Sequence, residues 1–563
     1  MAKLRASVQG LVNGPDRPHS VRTVVGLLAV YLLLTANWPL WLELARIGRA
    51  PSVYLPAVLG MAWLTLAGTL ALLALTAWSR WMKPLWMALV VVAAAVQYYM
   101  LAYRMVMDPS MAASVLHTDP AEVRDLLSWR LLGSVLLVAA PALAWLWHVP
   151  IAAERWWPRL WRNAVLLLGA LAAGIAGVAA MSRELAPLMR NETHLRYMIN
   201  PLASAYSMGM AVWRPMFRRS RGLVPITAGA ALGPSYAAQP KPPLLVLVVG
   251  ETARADHFGL NGYARDTTPE LAARGAVSWR HVQSCGTNTL ASLPCMFSHL
   301  GKQGYEGRAD EHENLLDVLQ AAGLAVLWLD NQGGGCKGVC ARVPHAQVND
   351  AAAVAAHPAL CAGDECLDEV LLEGIDQRLA ALEPERRARG VVLVMHQLGS
   401  HGPAYARRSP EALKRFQPEC RTSTLSECSH AELVNAYDNS IAYTDQVLAH
   451  TIDWLKGQSA RYDTGLLYLS DHGESLGEFG LYLHGVPYRL APEVQKHVPM
   501  VAWLDGGLGR RAGIANSCLR AGTDVALTHD NLYPSVLGLM DVRSPTYHRA
   551  LDAFGSCRDP DGG

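Results

Sequence analysis

Residue types that bind metals or carry protons follow directly after four apolar runs in the second half of this 563-residue sequence. The runs end at Val249, Leu329, Met395 and Ser470, and the polar residues beyond them include Glu251, Asp330, His396, Asp471 and His472. Because ligands of open α/β sheets bind beyond the carboxyl ends of the strands, we expect these side chains to meet at one site. Carboxylates and imidazoles are ligands that suit zinc. The pattern therefore predicts a metal centre at the strand ends.

Two more histidines, His401 in GSHGP and His484 in LHGVP, follow the third and fourth runs. Their positions near the predicted strand ends make both of them candidate ligands or substrate contacts. A single histidine is more often a surface residue or a hydrogen-bonded core residue. That alternative stays open for each of them.

The segment SCGTNTLASLPC, residues 284–295, places two threonines between two cysteines. Helical spacing of the apolar residues puts Thr289 near a helix N-terminus, where backbone N–H groups favour an anion. A metal can lower the pKa of a threonine hydroxyl and make it a nucleophile. A disulfide across so short a loop gains little chain entropy, so we expect it to hold the threonine in place. These arguments do not separate Thr287 from Thr289, and a simple helix-capping role stays open for either.

All 10 cysteines lie at or after Cys285. Pairing of sequence neighbours gives Cys285 with Cys295, Cys336 with Cys340, Cys361 with Cys366 and Cys420 with Cys428, and leaves Cys518 with Cys557. Sequence alone does not fix this connectivity. A zinc–thiolate cluster is the alternative, but it favours C-x2-C pairs, which these spacings lack. Disulfides indicate an oxidising compartment for this part of the chain.

The same part of the sequence alternates apolar runs with amphipathic segments, and residues 430–457 have the apolar spacing of a helix. This alternation predicts an α/β fold around a largely parallel sheet that is covered on both faces. Residues 226–243 are rich in proline and small side chains and lack a period, so we predict a linker there.

Five nearly uncharged stretches lie in the first 185 residues, and each has about the 17 to 25 residues that a helix needs to cross the hydrocarbon. They are residues 23–42, 54–78, 85–103, 131–147 and 164–181. Basic residues before the first stretch and in alternate loops predict that those loops are cytoplasmic. Five spans then place the cysteine-rich part outside, on the side that permits disulfides. The first stretch starts too far into the chain for a simple signal peptide, so we expect it to be retained.

The net charge of +2 is nearly balanced, and no long basic surface with interleaved aromatics is present, which makes nucleic acid an unsuitable partner. The local exception is WRPMFRRSRG, residues 213–222. Arginine and tryptophan beside apolar residues suit a helix in the lipid headgroup layer. A solvated connector is the alternative.

The most specific stretches are VVGETARADHFGLNGYARDTTP, SCGTNTLASLPCMFS, CKGVC, SHGP and SDHGESLGE followed by YLHG. Together they resemble the phosphoethanolamine transferases of Gram-negative bacteria, which include lipid A modifiers and mobile colistin-resistance enzymes. The resemblance covers nearly the whole chain. It implies a five-span α-helical membrane domain over residues 1–185, interfacial helices and a linker over 186–243, and an α/β catalytic domain of alkaline-phosphatase and sulfatase type over 244–563. It also implies a multi-pass protein of the inner membrane with its catalytic domain in the periplasm.

The resemblance implies roles for individual residues. It makes Thr289 the nucleophile, and it makes Glu251, Asp471 and His472 the ligands of a zinc ion that the threonine also contacts. The substrate-binding residues that it implies are His401 and His484, at a substrate or second-zinc position, Lys337 and His396, at the substrate phosphate, and Thr118 and Glu122, at the lipid donor. In one departure, Ser114 stands where related sequences carry asparagine.

The function implied is zinc-dependent transfer of phosphoethanolamine from phosphatidylethanolamine to a lipid A phosphate through a covalent intermediate on threonine, which confers polymyxin resistance. Core heptose, Kdo and periplasmic glucan are alternative acceptors. A membrane-anchored phosphodiesterase or sulfatase-type hydrolase is a second alternative, but a soluble substrate needs no membrane spans, and SLPCM lacks the arginine of the sulfatase C-x-P-x-R pattern. A catalytically silent lipid-binding protein is a third, and the complete ligand set argues against it.

Overall fold

The computed structural model describes residues 18–47, 51–118, 120–217, 222–362 and 365–558 of the chain. They form two compact units, one within Met1–Ala113 and Leu127–Trp213 and the other within Ser114–Leu126 and Arg214–Gly563. The second unit therefore includes a short segment that lies between two membrane helices in the sequence. The functional boundaries predicted at residues 185 and 243 remain predictions.

The chain before residue 220 is helical over most of its described length. The helices are α1 (Val21–Thr35), α2 (Trp38–Ile47), α3 (Pro51–Thr76), α4 (Lys83–Ala102), α5 (Pro109–Leu116), α6 (Pro120–Leu126), α7 (Trp129–His148), α8 (Trp156–Ala180), α9 (Ser182–Asn191) and α10 (Leu202–Phe217). Four stretches of the described residues are long and apolar enough to span a membrane, and the bent pair α1 and α2 adds a fifth if it forms one span. The helical membrane domain predicted from hydropathy is thus confirmed, with four to five spans.

The first predicted span, residues 23–42, is broken rather than continuous. Helices α1 and α2 meet at a bend of 47°, and Asn37 lies at the break. Its side-chain amide donates to Leu32 O (2.9 Å) and Asn200 O (2.6 Å), while the Asn200 N–H donates to Asn37 Oδ1 (2.9 Å). Polar groups in hydrocarbon must find partners inside the protein, so this pair of asparagines stabilises the bend.

The helix that contains the last predicted span, α8, begins at Trp156, before the predicted start at Ala164. Arg159 and Arg162, which lie between the fourth and fifth predicted stretches, belong to the first two turns of α8 and not to a loop. Arginine side chains at the end of a membrane helix can extend their charged groups into water or the lipid headgroups. The helix can therefore include them and extend beyond the hydrocarbon. Helix α10 ends at Phe217, and residues 218–221 lie outside the described part, so the headgroup-layer helix at 213–222 remains a prediction.

The second unit is built around an eight-stranded sheet. Its strands are β1 (Pro243–Gly250), β2 (Val277–Gln283), β3 (Ala325–Asp330), β4 (His345–Gln347), β5 (Val391–His396), β6 (Asp463–Ser470), β7 (His497–Leu504) and β8 (Ala526–Thr528), in the order β8-β2-β7-β6-β1-β5-β3-β4. Strands β6, β1, β5, β3 and β4 are parallel, whereas β7 is antiparallel to both β6 and β2. The predicted parallel sheet is correct for the half that carries the polar strand ends, and the sheet is mixed beyond β6.

Strands β1, β3, β5 and β6 are buried along their whole length, as expected when helices cover both faces of a parallel sheet. The helices of this unit are α11 (Ser235–Ala238), α12 (Pro269–Ala273), α13 (Thr289–Met296), α14 (Gly301–Gly307), α15 (Leu315–Ala321), α16 (Ala351–Ala356), α17 (Ile375–Ala380), α18 (Pro384–Arg389), α19 (His430–Gln458), α20 (Gly506–Arg511), α21 (Asn516–Ala521) and α22 (Leu532–Leu539).

The predicted linker at 226–243 contains α11 and the two-residue strand Ala231–Leu232, which pairs with Val542–Arg543. It is therefore more ordered than its composition indicates.

The strand register brings the polar strand ends to the same level. Ser470 at the end of β6 pairs with Gly250 of β1, and His396 at the end of β5 pairs with Val249 of β1 and Asp330 of β3. The residues that follow these positions leave the sheet side by side, which is the condition for a shared site.

All ten cysteines form disulfides, and the pairing agrees with the sequence prediction. The bonds are Cys285–Cys295, Cys336–Cys340, Cys361–Cys366, Cys420–Cys428 and Cys518–Cys557. No thiol is left for the alternative zinc–thiolate cluster, since none of the 10 cysteines is free.

The long helix α19 holds the chain that follows β1 through a buried carboxylate. Asp438 is fully buried and accepts hydrogen bonds from His257 (2.6 Å), Tyr263 (2.9 Å) and Arg265 (2.8 Å). A buried carboxylate is tolerated only when paired in this way. The loop after Glu251 is therefore fixed to α19.

We expect Asp438→Asn to lower the free energy of unfolding by about 3 kcal/mol, because it removes the charge that three buried or half-buried donors share. Asp453→Asn is the matched control on the same helix. Its side chain is 45% exposed and pairs with Arg274, so we expect a change below about 1 kcal/mol. Thermal unfolding of both purified variants in detergent measures the difference, and equal effects would show that the Asp438 network does not stabilise the fold.

Candidate active site

Glu251, Asp471 and His472 form a buried cluster at the ends of β1 and β6. His472 Nε2 lies 3.2 Å from Glu251 Oε1 and 3.4 Å from Asp471 Oδ2. One ligand atom from each residue lies within 4.8 Å of the other two, and none of the three residues is exposed. The structure thus brings together the three residues that were predicted to bind a metal.

Glu251 is held in place by the turn that follows it. Thr252 has a φ of 52°, a left-handed conformation that is unfavourable for a β-branched residue and needs support from its surroundings. Its N–H donates to Asp471 Oδ1 (3.3 Å). The Tyr437 hydroxyl donates to Thr252 O (2.7 Å) and accepts from the Arg254 N–H (2.9 Å), so it bridges both sides of the turn.

Thr289 is the first residue of α13, and its hydroxyl lies against the cluster. Its Oγ1 is 3.2 and 3.1 Å from the two carboxylate oxygens of Glu251 and 3.4 Å from His472 Nε2. The side chain is buried. A hydroxyl at this position can enter the coordination sphere of a metal held by the three neighbouring side chains.

The second threonine, Thr287, has a different environment. Its Oγ1 donates to Val486 O (2.7 Å). The N-cap of α13 is Asn288, whose side chain accepts from the Ala291 N–H (2.9 Å), so neither threonine caps the helix. The structure therefore separates the two threonines that the sequence left equivalent, and Thr289 alone of the two contacts the cluster.

The donor set fits a divalent cation such as zinc. It offers two carboxylates, one imidazole and one hydroxyl, and oxygen and nitrogen ligands of this kind form zinc sites. Asp471 Oδ2 is buried, and apart from the His472 ring nitrogen 3.4 Å away it makes no hydrogen bond to a described residue. Leaving a buried carboxylate oxygen without a partner is costly, and a cation would satisfy it.

The charges of the three residues depend on one another. Burial raises the pKa of Glu251, but the hydrogen bond and positive charge of His472 outweigh burial and lower this pKa to about 2. Burial and then the Glu251 charge raise the pKa of Asp471 to about 6. Burial lowers the pKa of His472, yet Asp471 and Glu251 together raise it to about 10. A proton on His472 balances the carboxylates in the metal-free protein, and a divalent cation meets the same demand for positive charge.

His401 and His484 form a pair beside the cluster. Their Nε2 atoms are 3.4 Å apart, and the ring centroids of His484 and His472 are 4.4 Å apart. Burial, followed by the charges of His472 and His401, lowers the pKa of His484 well below its usual value. His484 is therefore neutral at neutral pH.

His396 lies at the end of β5 with both faces of its ring buried. Its Nδ1 is 3.3 Å from Asp330 Oδ2, and this carboxylate also accepts from Trp328 Nε1 (2.8 Å). Asp330 thus orients His396 and does not join the metal cluster. The Nε2 atom of His396 is buried without a hydrogen-bond partner among the described residues.

The other predicted substrate contacts lie around the segment Ser114–Leu126. The Lys337 ammonium donates to Gly334 O (2.8 Å) and to His117 O (3.4 Å), and Thr118 Oγ1 donates to Ser114 O (2.8 Å). Glu122 belongs to α6, and its side chain lies outside the described part of the structure. No hydrogen bond between described residues joins Lys337 or Thr118 to the cluster of Glu251, Asp471 and His472. The substrate roles of Lys337 and Thr118 therefore remain predictions.

An ion-pair network that the sequence did not reveal fixes this segment. Asp125 pairs with Arg407 (2.5 Å) and Arg408 (3.2 Å), and Glu365 pairs with the same two arginines (2.7 and 3.0 Å). Arg408 Nε also donates to His401 O (2.8 Å). The network therefore connects α6 to the backbone of a candidate site histidine.

His529 is a second residue that sequence reasoning missed. Its Nδ1 accepts from the Cys285 N–H (3.1 Å), and its Nε2 donates to Ser470 O (2.9 Å). Ser292 of α13 donates to Asp471 O. These bonds join the disulfide loop and the Thr289 helix to the end of β6. A buried histidine far away in the sequence gives no local signal for such a role.

Comparison with known proteins agrees with this architecture. The Sulfatase family matches residues 243–542, and the family described as Phosphoethanolamine transferase EptA/EptB matches residues 65–215. Phosphoethanolamine transferase EptA of Salmonella typhimurium is 39% identical over 475 residues, which are 83% of this chain and 84% of that protein. Phosphatidylethanolamine transferase Mcr-1 of Escherichia coli is 36% identical over 534 residues, 93% of this chain and 96% of that protein.

A solved structure extends the similarity to both units. The integral membrane lipooligosaccharide phosphoethanolamine transferase A (EptA) of Neisseria meningitidis is 33% identical and superposes with a TM-score of 0.88, covering 96% of this chain and 99% of that chain. A sulfatase-type α/β domain with a metal-type cluster, joined to membrane-spanning helices, defines a membrane-anchored enzyme of the sulfatase and alkaline-phosphatase superfamily.

Within that superfamily, the chain belongs to the phosphoethanolamine transferases. It is a multi-pass protein of the inner membrane, and its catalytic domain lies in the periplasm. The expectation drawn from the sequence motifs is confirmed for the family, the fold class and the location.

We expect Tyr437→Phe to raise the dissociation constant for zinc about tenfold, because the hydroxyl that supports the Glu251 turn is lost while the ring remains. Tyr443→Phe is the matched control. It lies on the same helix, is equally buried, and its hydroxyl contacts Glu369 instead of the site. Competition with a fluorescent zinc chelator measures both variants. Equal zinc affinities would mean that the Tyr437 hydroxyl does not position the ligand.

Proposed function

We propose that this protein transfers phosphoethanolamine from phosphatidylethanolamine to a phosphate of lipid A. The observation that carries the proposal is the position of Thr289, whose hydroxyl contacts Glu251 and His472 at a helix N-terminus. The acceptor is supported by the Neisseria meningitidis relative, which is a lipooligosaccharide phosphoethanolamine transferase, since lipooligosaccharide is anchored by lipid A.

The proposed reaction has two displacements at phosphorus. In the first, Thr289 Oγ1 loses its proton and attacks the phosphorus of phosphatidylethanolamine. The bond from phosphorus to the glycerol oxygen breaks, and this oxygen takes up a proton as diacylglycerol leaves. In the second, an acceptor oxygen attacks the same phosphorus and the threonine leaves. Phosphoryl transfer depends mainly on positioning and on stabilisation of negative charge.

Glu251, Asp471, His472 and Thr289 are proposed to hold one zinc ion. Zinc bound there supplies Lewis acidity and lowers the pKa of the threonine hydroxyl. The protein's own contribution is to fix Oγ1 at the end of α13, where the first N–H groups of the helix face an incoming phosphate.

The surrounding residues are assigned to the substrate. Lys337 supplies an ammonium for the phosphate, and His396, His401 and His484 present imidazole nitrogens next to the cluster. Thr118 and Glu122 are proposed to contact the donor lipid, because their segment packs in the catalytic unit. A hydrolase that uses the same cluster is the second candidate, and the membrane spans favour a lipid donor over a soluble substrate.

We expect Thr289→Ala to lower transfer at least about 10³-fold without loss of expression, because it removes the hydroxyl that contacts Glu251 and His472. Thr287→Ala is the matched control and should retain much of the activity, since its hydroxyl binds Val486 O. Intact-mass analysis of enzyme trapped with donor should show one phosphoethanolamine on Thr289. An adduct on Thr287, or an active Thr289→Ala enzyme, would contradict the assignment.

We expect expression of the protein to add phosphoethanolamine to lipid A and to raise the inhibitory concentration of polymyxin about fourfold or more, because the added ammonium weakens the attraction of a polycation. Mass spectrometry of lipid A from cells with the wild-type protein and with Thr289→Ala measures the modification. Phosphoethanolamine found only on core heptose, Kdo or periplasmic glucan, with unchanged polymyxin susceptibility, would refute lipid A as acceptor and leave the transferase in place.

A further inference from the structure

A cleft of about 440 Å³ opens beside the helix that carries Thr289. Its walls include Leu290 and Pro294 of α13 together with Arg308, His312, Lys337 and Arg342. Leu290 follows Thr289 in the chain, and neighbouring Cα atoms are about 3.8 Å apart. The cleft therefore runs along α13, and the residue that follows Thr289 forms part of its wall.

Two nitrogen atoms on the cleft walls lack partners. Arg308 Nε and His312 Nδ1 are buried and make no hydrogen bond to any described residue. The other guanidinium nitrogens of Arg308 donate to Tyr305 O (2.7 Å) and Glu311 (3.1 and 3.2 Å). Arg308 Nε is necessarily a donor, and a buried donor without an acceptor is costly, so this atom points to a ligand that supplies an acceptor oxygen. His312 Nδ1 donates or accepts according to its tautomer.

The charged groups of the cleft favour an anion. The acidic side chains on its walls are already engaged, because Glu313 accepts from the N–H groups of Ile226 and Thr227 (2.8 and 3.2 Å) and Glu311 pairs with Arg308. Lys337 donates only to carbonyl oxygens among the described residues, so its charge is not neutralised there. Arg342 is paired with Asp317, and Arg308 with Glu311. The positive charge that the cleft offers to a phosphate therefore comes mainly from Lys337, together with the unpartnered Nε of Arg308.

We propose that this cleft binds the acceptor phosphate during the second displacement. The inference rests on the proposed function and adds the location of the acceptor. The donor's single phosphate is already assigned to the proposed zinc ligands, Thr289 and Lys337, and its diacylglycerol part carries no charge for Arg308. An acceptor phosphate must approach a phosphorus that already bears negative oxygens, and nearby cations reduce that repulsion.

The chemical step that the cleft serves is balanced without another reactant. An acceptor phosphate oxygen attacks the phosphorus of the phosphoethanolamine on Thr289 with a lone pair, and the P–Oγ1 bond breaks. Oγ1 keeps the bonding electron pair and regains a proton from solvent. The product contains a P–O–P link between the acceptor phosphate and phosphoethanolamine.

Arg308→Gln tests the proposal, because it removes the charge and keeps much of the side-chain length. Full-length protein in detergent micelles is assayed for two rates: single-turnover release of fluorescent diacylglycerol from fluorescent phosphatidylethanolamine, and transfer of phosphoethanolamine to purified lipid A. We expect the ratio of transfer to diacylglycerol release to fall about tenfold, with a higher KM for lipid A. Arg280→Gln is the control, since Arg280 is exposed, pairs with Asp524 and lies outside the cleft, and it should leave the ratio unchanged.

The outcomes separate the cleft from the proposed function. If both rates of Arg308→Gln stay at the wild-type level, the cleft is not the acceptor site. If both rates fall by the same factor, the cleft is not the acceptor site and serves the donor instead. If Arg308→Gln does not fold, His312→Gln is measured in its place, with the same expected fall in the ratio and the same contrary result. Wild-type protein that releases diacylglycerol but never modifies lipid A would instead refute the proposed acceptor.

Discussion

The close approach of two buried carboxylates at the ends of β1 and β6 is the constraint on which the site depends. Glu251 and Asp471 are both fully buried and share the neighbourhood of His472. Carboxylates removed from water repel each other and persist only when a positive charge lies between them. The raised pKa of His472, to about 10, shows how strongly this place favours positive charge. A divalent cation would supply the positive charge that the two carboxylates need. It would also lower the pKa of the Thr289 hydroxyl at the edge of the cluster.

Such a cluster repels itself, so its geometry has to be imposed from outside. The parallel strands set the level of the strand ends through the pairing of Ser470 with Gly250. Beyond the strand ends, hydrogen bonds hold the site residues in place. The Tyr437 hydroxyl bonds to the turn after Glu251, and His529 joins the disulfide loop to the end of β6. Thr252 adopts an unfavourable positive φ in the turn that directs the Glu251 side chain into the site. The 285–295 disulfide fits this scheme, because a brace on α13 fixes the position of Thr289.

Features of the fold that leave a repeating pattern in the sequence could be predicted from it. Features that depend on contacts between distant segments could not. Apolar runs followed by Glu251, His396 and Asp471 predicted the parallel half of the sheet, and cysteine spacing predicted the disulfides. The antiparallel strand β7 follows a loop whose path leaves no periodic signal. The bend at Asn37 depends on Asn200, and the Glu251 turn depends on Tyr437, so in each case one partner lies more than 160 residues away. The choice between Thr287 and Thr289 also needed coordinates, since it rests on which hydroxyl faces Glu251.

The segment Ser114–Leu126 places Thr118, the proposed donor contact, in the same compact unit as Thr289, the proposed nucleophile. The segment lies between membrane helices in the sequence but packs in the catalytic unit. Asp125 is buried between two arginines, one of which donates to the backbone of His401. Removing one partner of such a buried network leaves an uncompensated charge, which makes the attachment hard to break. Because Lys337 also reaches His117 O, any contact that Thr118 makes with a donor lipid is set within the same packed unit as Thr289.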